Sequence, residues 1–283
     1  LTRPQTAAEQ RAAEVDARRG PRPLRAEPQP PAWERADWVR EELVQEGTLR
    51  EQATAAARRA AQESTAPARR RHPGELAPDV VDDLQRAASP QTAARYQERL
   101  TSAAEALERG RYGDARRMVQ PVLRDLPDLA AGHEVAGLAL YRLGEWRKAA
   151  SHLETARRLT GAVDNHPVLA DCYRAMRRYG AADDLWRELR EASPAPVLMA
   201  EGRIVAAGVL ADQGDLVGAL AVMAKAGEVP KKIREHHLRQ WYVLGDLYDR
   251  SGEIIKARRF FGLVADHDRE FADVAARLAA LGR

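Results

Sequence analysis

The chain has 283 residues, 45% of them hydrophobic and only 5% aromatic, with a formal net charge of +3. It can bury a substantial core, though not over its whole length, and the near balance of charge speaks against a dedicated polyanion binder. Cys172 is the single cysteine, so no intramolecular disulfide forms; with no charged-then-apolar leader and no uninterrupted run of 18 apolar residues, the expectation is a cytoplasmic protein that does not enter a membrane.

Residues 1–32 mix polar and Ala-rich stretches with Pro21, Pro23, Pro28, Pro30 and Pro31, and are expected to form an extended or disordered arm. Residues 33–65 contain no proline and are rich in Glu, Arg, Ala and Leu, which predicts a helical segment. Its large apolar residues Trp33, Trp38, Val39, Leu43 and Leu49 are too few for an independent fold. Two readings of this tryptophan-bearing helix stand side by side: docking on the rest of the chain, or recognition of another protein. A Pro/Arg-rich linker over 66–78 carries Arg69, Arg70 and Arg71. Together with Trp33 and Trp38 these are the candidate contact residues of the arm. From residue 79 to 283 the pattern is that of one folded domain, opened by a short helix in which Asp79 precedes Val80, Val81 and Leu84 as an expected cap.

Within that domain a local constellation recurs. Gly110-x-Tyr112-x-x-Ala115 is followed by Gly144-x-Trp146-x-x-Ala149, Tyr179-x-x-Ala182, Gly214-x-Leu216-x-x-Ala219 and Gly252-x-Ile254-x-x-Ala257. The alanines are separated by 34, 33, 37 and 38 residues. Twelve residues before each stands a small residue, namely Ala103, Gly137, Ala170, Ala207 and Gly245. Four residues after each stands a larger apolar one: Val119, Leu153, Trp186, Met223 and Phe261. Small residues facing each other on two helices permit close approach, and the residue one turn later fills the seam. Pro127 and Pro194 are expected to stop second helices, and Pro121 lies inside one. The two longer intervals coincide with 193–196 and 227–232, which are expected to be longer turns. Phe271, Val274, Leu278 and Leu281 suit a final helix that covers the open end of the stack.

The last copy, with Trp241, Leu244, Gly245, Tyr248, Ala257 and Phe261, carries the pattern W-x2-L-G-x2-Y…A-x3-F. On these residues the region from about 90 to 283 resembles the tetratricopeptide repeat (TPR) family, whose unit is a pair of antiparallel helices about 34 residues long. The resemblance implies an all-α fold: a right-handed superhelical stack of about five helix pairs with a C-terminal capping helix, preceded by a poorly packed arm containing a helix. It implies a concave groove lined by first helices. The family's groove-facing positions fall on Tyr141, Arg142, Asp171, Arg174, Ile204, Asp212, Arg239, Tyr242, Asp246, Asp249 and Arg250. Trp241 and Tyr248 fall on packing positions. The mixed charge of the groove positions departs from the Lys/Asn clamp of chaperone-binding members, so a polar helix or extended peptide of both charges is the expected ligand. The general layout also resembles, more loosely, Arg/Pro-armed repeat proteins of actinobacteria.

The implied function is that of a non-catalytic scaffold or adaptor for a protein or peptide partner. The alternative is an accessory factor of an RNA-containing assembly, contacting RNA through the basic arm. Little points to catalysis. There is no Gly-rich phosphate loop or nucleophile elbow, and His133, His152 and His166 show no metal-ligand spacing. The adjacent His236 and His237 are expected on different sides of a helix. No cofactor and no metal is expected. Pairs such as Arg116-Arg117, Arg157-Arg158 and Asp183-Asp184 read as solvated helix faces.

Overall fold

The computed structural model describes residues 76–282, so the expected arm (1–32), the Trp-containing segment (33–65) and nearly all of the linker (66–78) lie outside it. The described residues are all helix and turn, without strands. The helices are α1 Pro78–Ala87, α2 Pro90–Glu108, α3 Tyr112–Asp125, α4 Ala130–Arg142, α5 Trp146–Thr160 and α6 His166–Ala175. They continue as α7 Tyr179–Ala192, α8 Pro196–Asp212, α9 Leu216–Met223, α10 Glu235–Arg250, α11 Ile254–Ala265 and α12 Val274–Leu281, with a 3-10 turn at Ala224–Gly227.

Five pairs result, α2/α3 to α10/α11. Each second helix also packs on the first helix of the next pair, and successive first helices touch from α2 through α4, α6 and α8 to α10. At the ends, α1 rests on α2 and α12 on α11. The described residues therefore form a helical repeat stack closed by a capping helix.

The glycines of the repeated constellation make the turn between the two helices of a pair. Gly110, Gly144, Gly214 and Gly252 hold φ of 76°, 76°, 83° and 77°. This left-handed conformation ends a helix without the Cβ clash that other residues suffer. In the third copy the equivalent residue is Arg177, at φ 57°. The same bond spans every turn, from the amide three residues past the helix end back to the carbonyl five residues earlier. It runs Arg111 N to Ala106 O at 2.8 Å, Glu145 to Leu140 at 3.0 Å, Arg178 to Tyr173 at 2.8 Å, Asp215 to Leu210 at 2.9 Å and Glu253 to Tyr248 at 2.8 Å. Five identical closures show that the repeats share backbone geometry even where their side chains have diverged.

The small residues meet as their spacing implies. Ala115, Ala149, Ala182, Ala219 and Ala257 are all buried. A Cβ on Gly137 would stand 2.7 Å from Leu153 Cδ2, and one on Gly245 would stand 2.8 Å from the Phe261 ring. Trp241 is fully buried and donates from Nε1 to the Ala226 carbonyl at 3.0 Å. Tyr248 stacks on Phe260 with ring centroids 5.6 Å apart. Trp186 departs from the pattern in one respect, since its ring also faces Gly202 of the next pair. The α8 sequence is apolar around its whole circumference, and most of its residues are correspondingly buried.

Boundary details differ from the reading of the sequence at two points. Asp79 does not cap α1: Ala77 is the N-cap residue and Pro78 takes the first turn, which places Asp79 inside the helix. A proline whose missing amide would be unpaired anyway starts the helix by itself. Phe271 lies before α12 rather than in it, yet is buried with Val274 against the last pair. Residues 193–195 and 228–234 are non-helical connections, α7 stops at Ala192 before Pro194, and α3 contains Pro121 and stops at Asp125 before Pro127.

Candidate partner-binding face

Because consecutive first helices lie against one another, a polar side chain on one can reach the next. The Tyr141 hydroxyl on α4 donates to Asp171 Oδ2 on α6 at 2.6 Å. Arg174, one turn further along α6, donates from Nε to Asp171 Oδ1 at 2.8 Å and from Nη1 to Asp212 Oδ2 on α8 at 3.1 Å. Arg250 on α10 donates back to the Ala211 carbonyl of α8 at 3.3 Å. Arg239 on α10 pairs with Glu201 on α8, Nε to Oε1 at 2.7 Å, and with Glu235 at 3.4 Å. Arg277 of α12 finally bridges Asp246 at 2.7 Å and Asp249 at 3.0 Å, and the Tyr242 hydroxyl donates to Asp273. A ladder of hydrogen bonds and ion pairs thus runs along the first helices from α4 to the cap.

The residues carried over from the family groove are therefore brought together, but seven of the eleven are buried. Tyr141, Asp171, Arg174, Ile204, Arg239, Tyr242 and Asp246 are closed to solvent, and Ile204 belongs to the apolar core. Arg142, Asp249 and Arg250 are half-buried, and Asp212 is exposed. Arg142 lies with its guanidinium 5.7 Å from the centre of the Tyr112 ring. The arm residues Trp33, Trp38, Arg69, Arg70 and Arg71 lie outside the described residues.

Burial sets the protonation chemistry of the ladder. It pushes the Tyr141 hydroxyl well above the ordinary phenol range, and the Asp171 charge adds to this. For Arg174, burial acts downward, but Asp171, Asp212 and Tyr141 outweigh it and hold the guanidinium above its usual value. Burial raises the Asp246 carboxyl, and partial covering of its side chain, 30% exposed though the residue as a whole is exposed, raises that of Asp212; nearby Arg277 and Arg250 oppose the rise for Asp246, and Arg174 and Arg250 for Asp212. Asp246 Oδ2 is a buried acceptor and Arg250 Nη1 a buried donor, neither with a hydrogen-bond partner among the described residues. They stand one turn apart on the same helix, so their side chains are neighbours.

On the other layer, some arginines expected on solvated faces have structural partners. Arg157 is half-buried and grips Glu188 of the next pair with two bonds of 2.8 and 2.6 Å, while His166 Nε2 shares that carboxylate at 3.0 Å. Arg116 reaches Glu145 of the next pair at 2.7 Å. These contacts tie successive repeats together, and separations of 29 and 31 residues hid them from any local pattern. Asp183 and Asp184 are exposed and pair with Arg187 on their own helix. The rings of His236 and His237 are not separated by the helix: their centroids are 4.0 Å apart. Among the described residues, no group of three or more His, Cys, Asp or Glu side chains could hold a metal ion, and no helix is long and apolar enough to cross a membrane.

No family model matches the chain, and no curated protein matches it. Among solved structures it is similar to a thermophilic TPR protein of Thermus thermophilus, with a TM-score of 0.52 and 18% identity, over 66% of this chain and 98% of that one. At that identity the likeness is one of fold. The stack is TPR-like.

Proposed function

We propose that the protein is a non-catalytic scaffold whose first-helix face binds a segment of another protein. One observation carries this reading. Asp249 and Arg250, both near the end of α10, carry a carboxylate and a guanidinium that are only half-buried, so each is open in part to a ligand. A hydrogen bond to a charged group contributes about 1.5–3 kcal/mol, so a segment that reaches both gains from each. An amide group, in the backbone or in an Asn or Gln side chain, presents the complementary donor and acceptor together. Half-buried Arg142 and Asp249 and exposed Asp212 flank the same row and would read charges of both signs on the segment.

The test is selection of a peptide library on the purified protein, with binding measured by fluorescence polarisation. Asp249→Asn and Arg250→Gln should each weaken the selected peptides by about tenfold, the scale of one lost hydrogen bond to a charged group. Arg258→Ala on the outer surface of α11 should leave binding unchanged. Failure to enrich any peptide, or equal loss in all three variants, would refute the reading.

A further inference from the structure

His133, near the start of α4, and His152, in the middle of α5, stand nineteen residues apart in sequence and face each other across the second helix pair. Their Nδ1 atoms are 2.9 Å apart, and the rings meet at an angle of 41° with centroids 5.0 Å apart. Both residues are half-buried. His133 Nε2 lies 2.8 Å from the Pro127 carbonyl oxygen. A carbonyl only accepts, so Nε2 carries the hydrogen and Nδ1 of the neutral ring is a bare lone pair. His152 Nδ1 must then donate to it. That hydrogen is the only thing between two convergent imidazole nitrogens, and His152 can surrender it simply by moving it to its own Nε2.

We propose that His133 and His152 form a two-imidazole half-site for a borderline divalent transition-metal ion, which replaces the shared hydrogen and clips α4 to α5. Three features support this. Imidazole is a preferred ligand for copper, nickel and zinc, with metal–nitrogen bonds of about 2.0–2.1 Å. The 2.9 Å between the nitrogens is the length of their hydrogen bond, and two metal bonds at a right angle span about the same distance, so an ion fits once the rings turn their lone pairs from each other toward it. Finally, the bond from His133 Nε2–H to the Pro127 carbonyl is the outer-shell support that fixes tautomer and ring in metal-ligating histidines. The described residues supply no third ligand, so water or a bound partner completes the sphere.

The experiment uses the full chain without a histidine tag. Cu2+ is titrated at neutral pH and followed by electron paramagnetic resonance and by thermal unfolding; Ni2+ and Zn2+ are compared by the unfolding shift alone. The wild type should bind one Cu2+ with the splitting of two equivalent nitrogens, and its melting temperature should rise with metal concentration. His133→Ala and His152→Ala, each checked for native helicity, should show a one-nitrogen signal, at least about tenfold weaker binding and no melting shift. A one-nitrogen signal in the wild type overturns the proposal. So does unchanged copper affinity in both variants, which would assign binding to histidines elsewhere.

Discussion

Arg174 and Asp171, one turn apart on α6, form an ion pair at 2.8 Å whose side chains are only 5% and 4% exposed. The pair lies at the junction of three first helices, since Tyr141 of α4 bonds the same carboxylate and Asp212 of α8 the same guanidinium. The space for the arginine comes from Gly208 of α8, where a Cβ would stand 3.1 Å from Nη1. Removing one member of such a pair leaves the other as an uncompensated buried charge, which costs more than the pair itself contributes. Arg174→Met should therefore destabilise the protein by about 3–5 kcal/mol in urea unfolding. The double variant Arg174→Met/Asp171→Leu should lose less than Arg174→Met alone. A double variant at least as unstable as that single would show that the charge is not what matters.

The turn of the third pair offers a prediction of opposite sign. Arg177 is exposed and sits at φ 57°, in the place that glycine fills in the other four copies. Left-handed backbone costs a non-glycine residue about 1–2 kcal/mol, of which the greater entropy of unfolded glycine takes back part. Arg177→Gly should thus stabilise the protein by about 0.5–1 kcal/mol. Gly144→Ala, at φ 76°, should destabilise it by about 1 kcal/mol. Thermal unfolding of the two variants beside the wild type decides the matter, and a lower melting temperature for Arg177→Gly would contradict it.

Helical glycines separate packing from propensity. At Gly245 a Cβ would meet the buried Phe261 ring at 2.8 Å, and a planar ring cannot fold out of the way. Overpacking of about 1–3 kcal/mol then outweighs the gain of about 1 kcal/mol in helix propensity, so Gly245→Ala should be destabilising. Gly262 lies in the interior of α11 with nothing within 4 Å of an added Cβ. Gly262→Ala should be stabilising by about 0.5–1 kcal/mol. Equal effects of the two substitutions in chemical denaturation would argue against the close approach of α10 and α11.

These contrasts show how far the sequence could be read. The alanines at 115, 149, 182, 219 and 257 were legible because close helix approach tolerates few residue types and therefore repeats at fixed intervals. That constraint was enough for the helix pairs, the turns and the closing helix. The first-helix row was legible as positions but not as contacts. Whether Asp171 faces solvent or lies under Arg174 depends on how closely α8 approaches α6, and the space there is opened by Gly208, which carries no local signal. His133 and His152 were invisible as a pair for the same reason. Their separation follows the length of a helical hairpin, not the one-turn spacing of a familiar metal motif.

The buried histidines make stability depend on mildly acidic pH. His236 on α10 is only 5% exposed, and burial, aided by neighbouring His237, Arg239 and Arg234, pushes its pKa down to about 4. Burial also lowers His166, against the opposing pull of Glu188. A histidine with a depressed folded pKa binds its proton more readily in the unfolded chain. Its contribution is constant above the unfolded value near 6.5, and as pH falls below that value the unfolded state gains protons that the native state refuses. Stability should therefore decline between about pH 6.5 and pH 5, by up to about 1.4 kcal/mol per pH unit for His236 alone. Urea unfolding of His236→Gln over the same window should show a shallower slope than the wild type, whatever its absolute stability. An identical slope would mean that His236 takes up its proton without leaving its place between α10 and its neighbours.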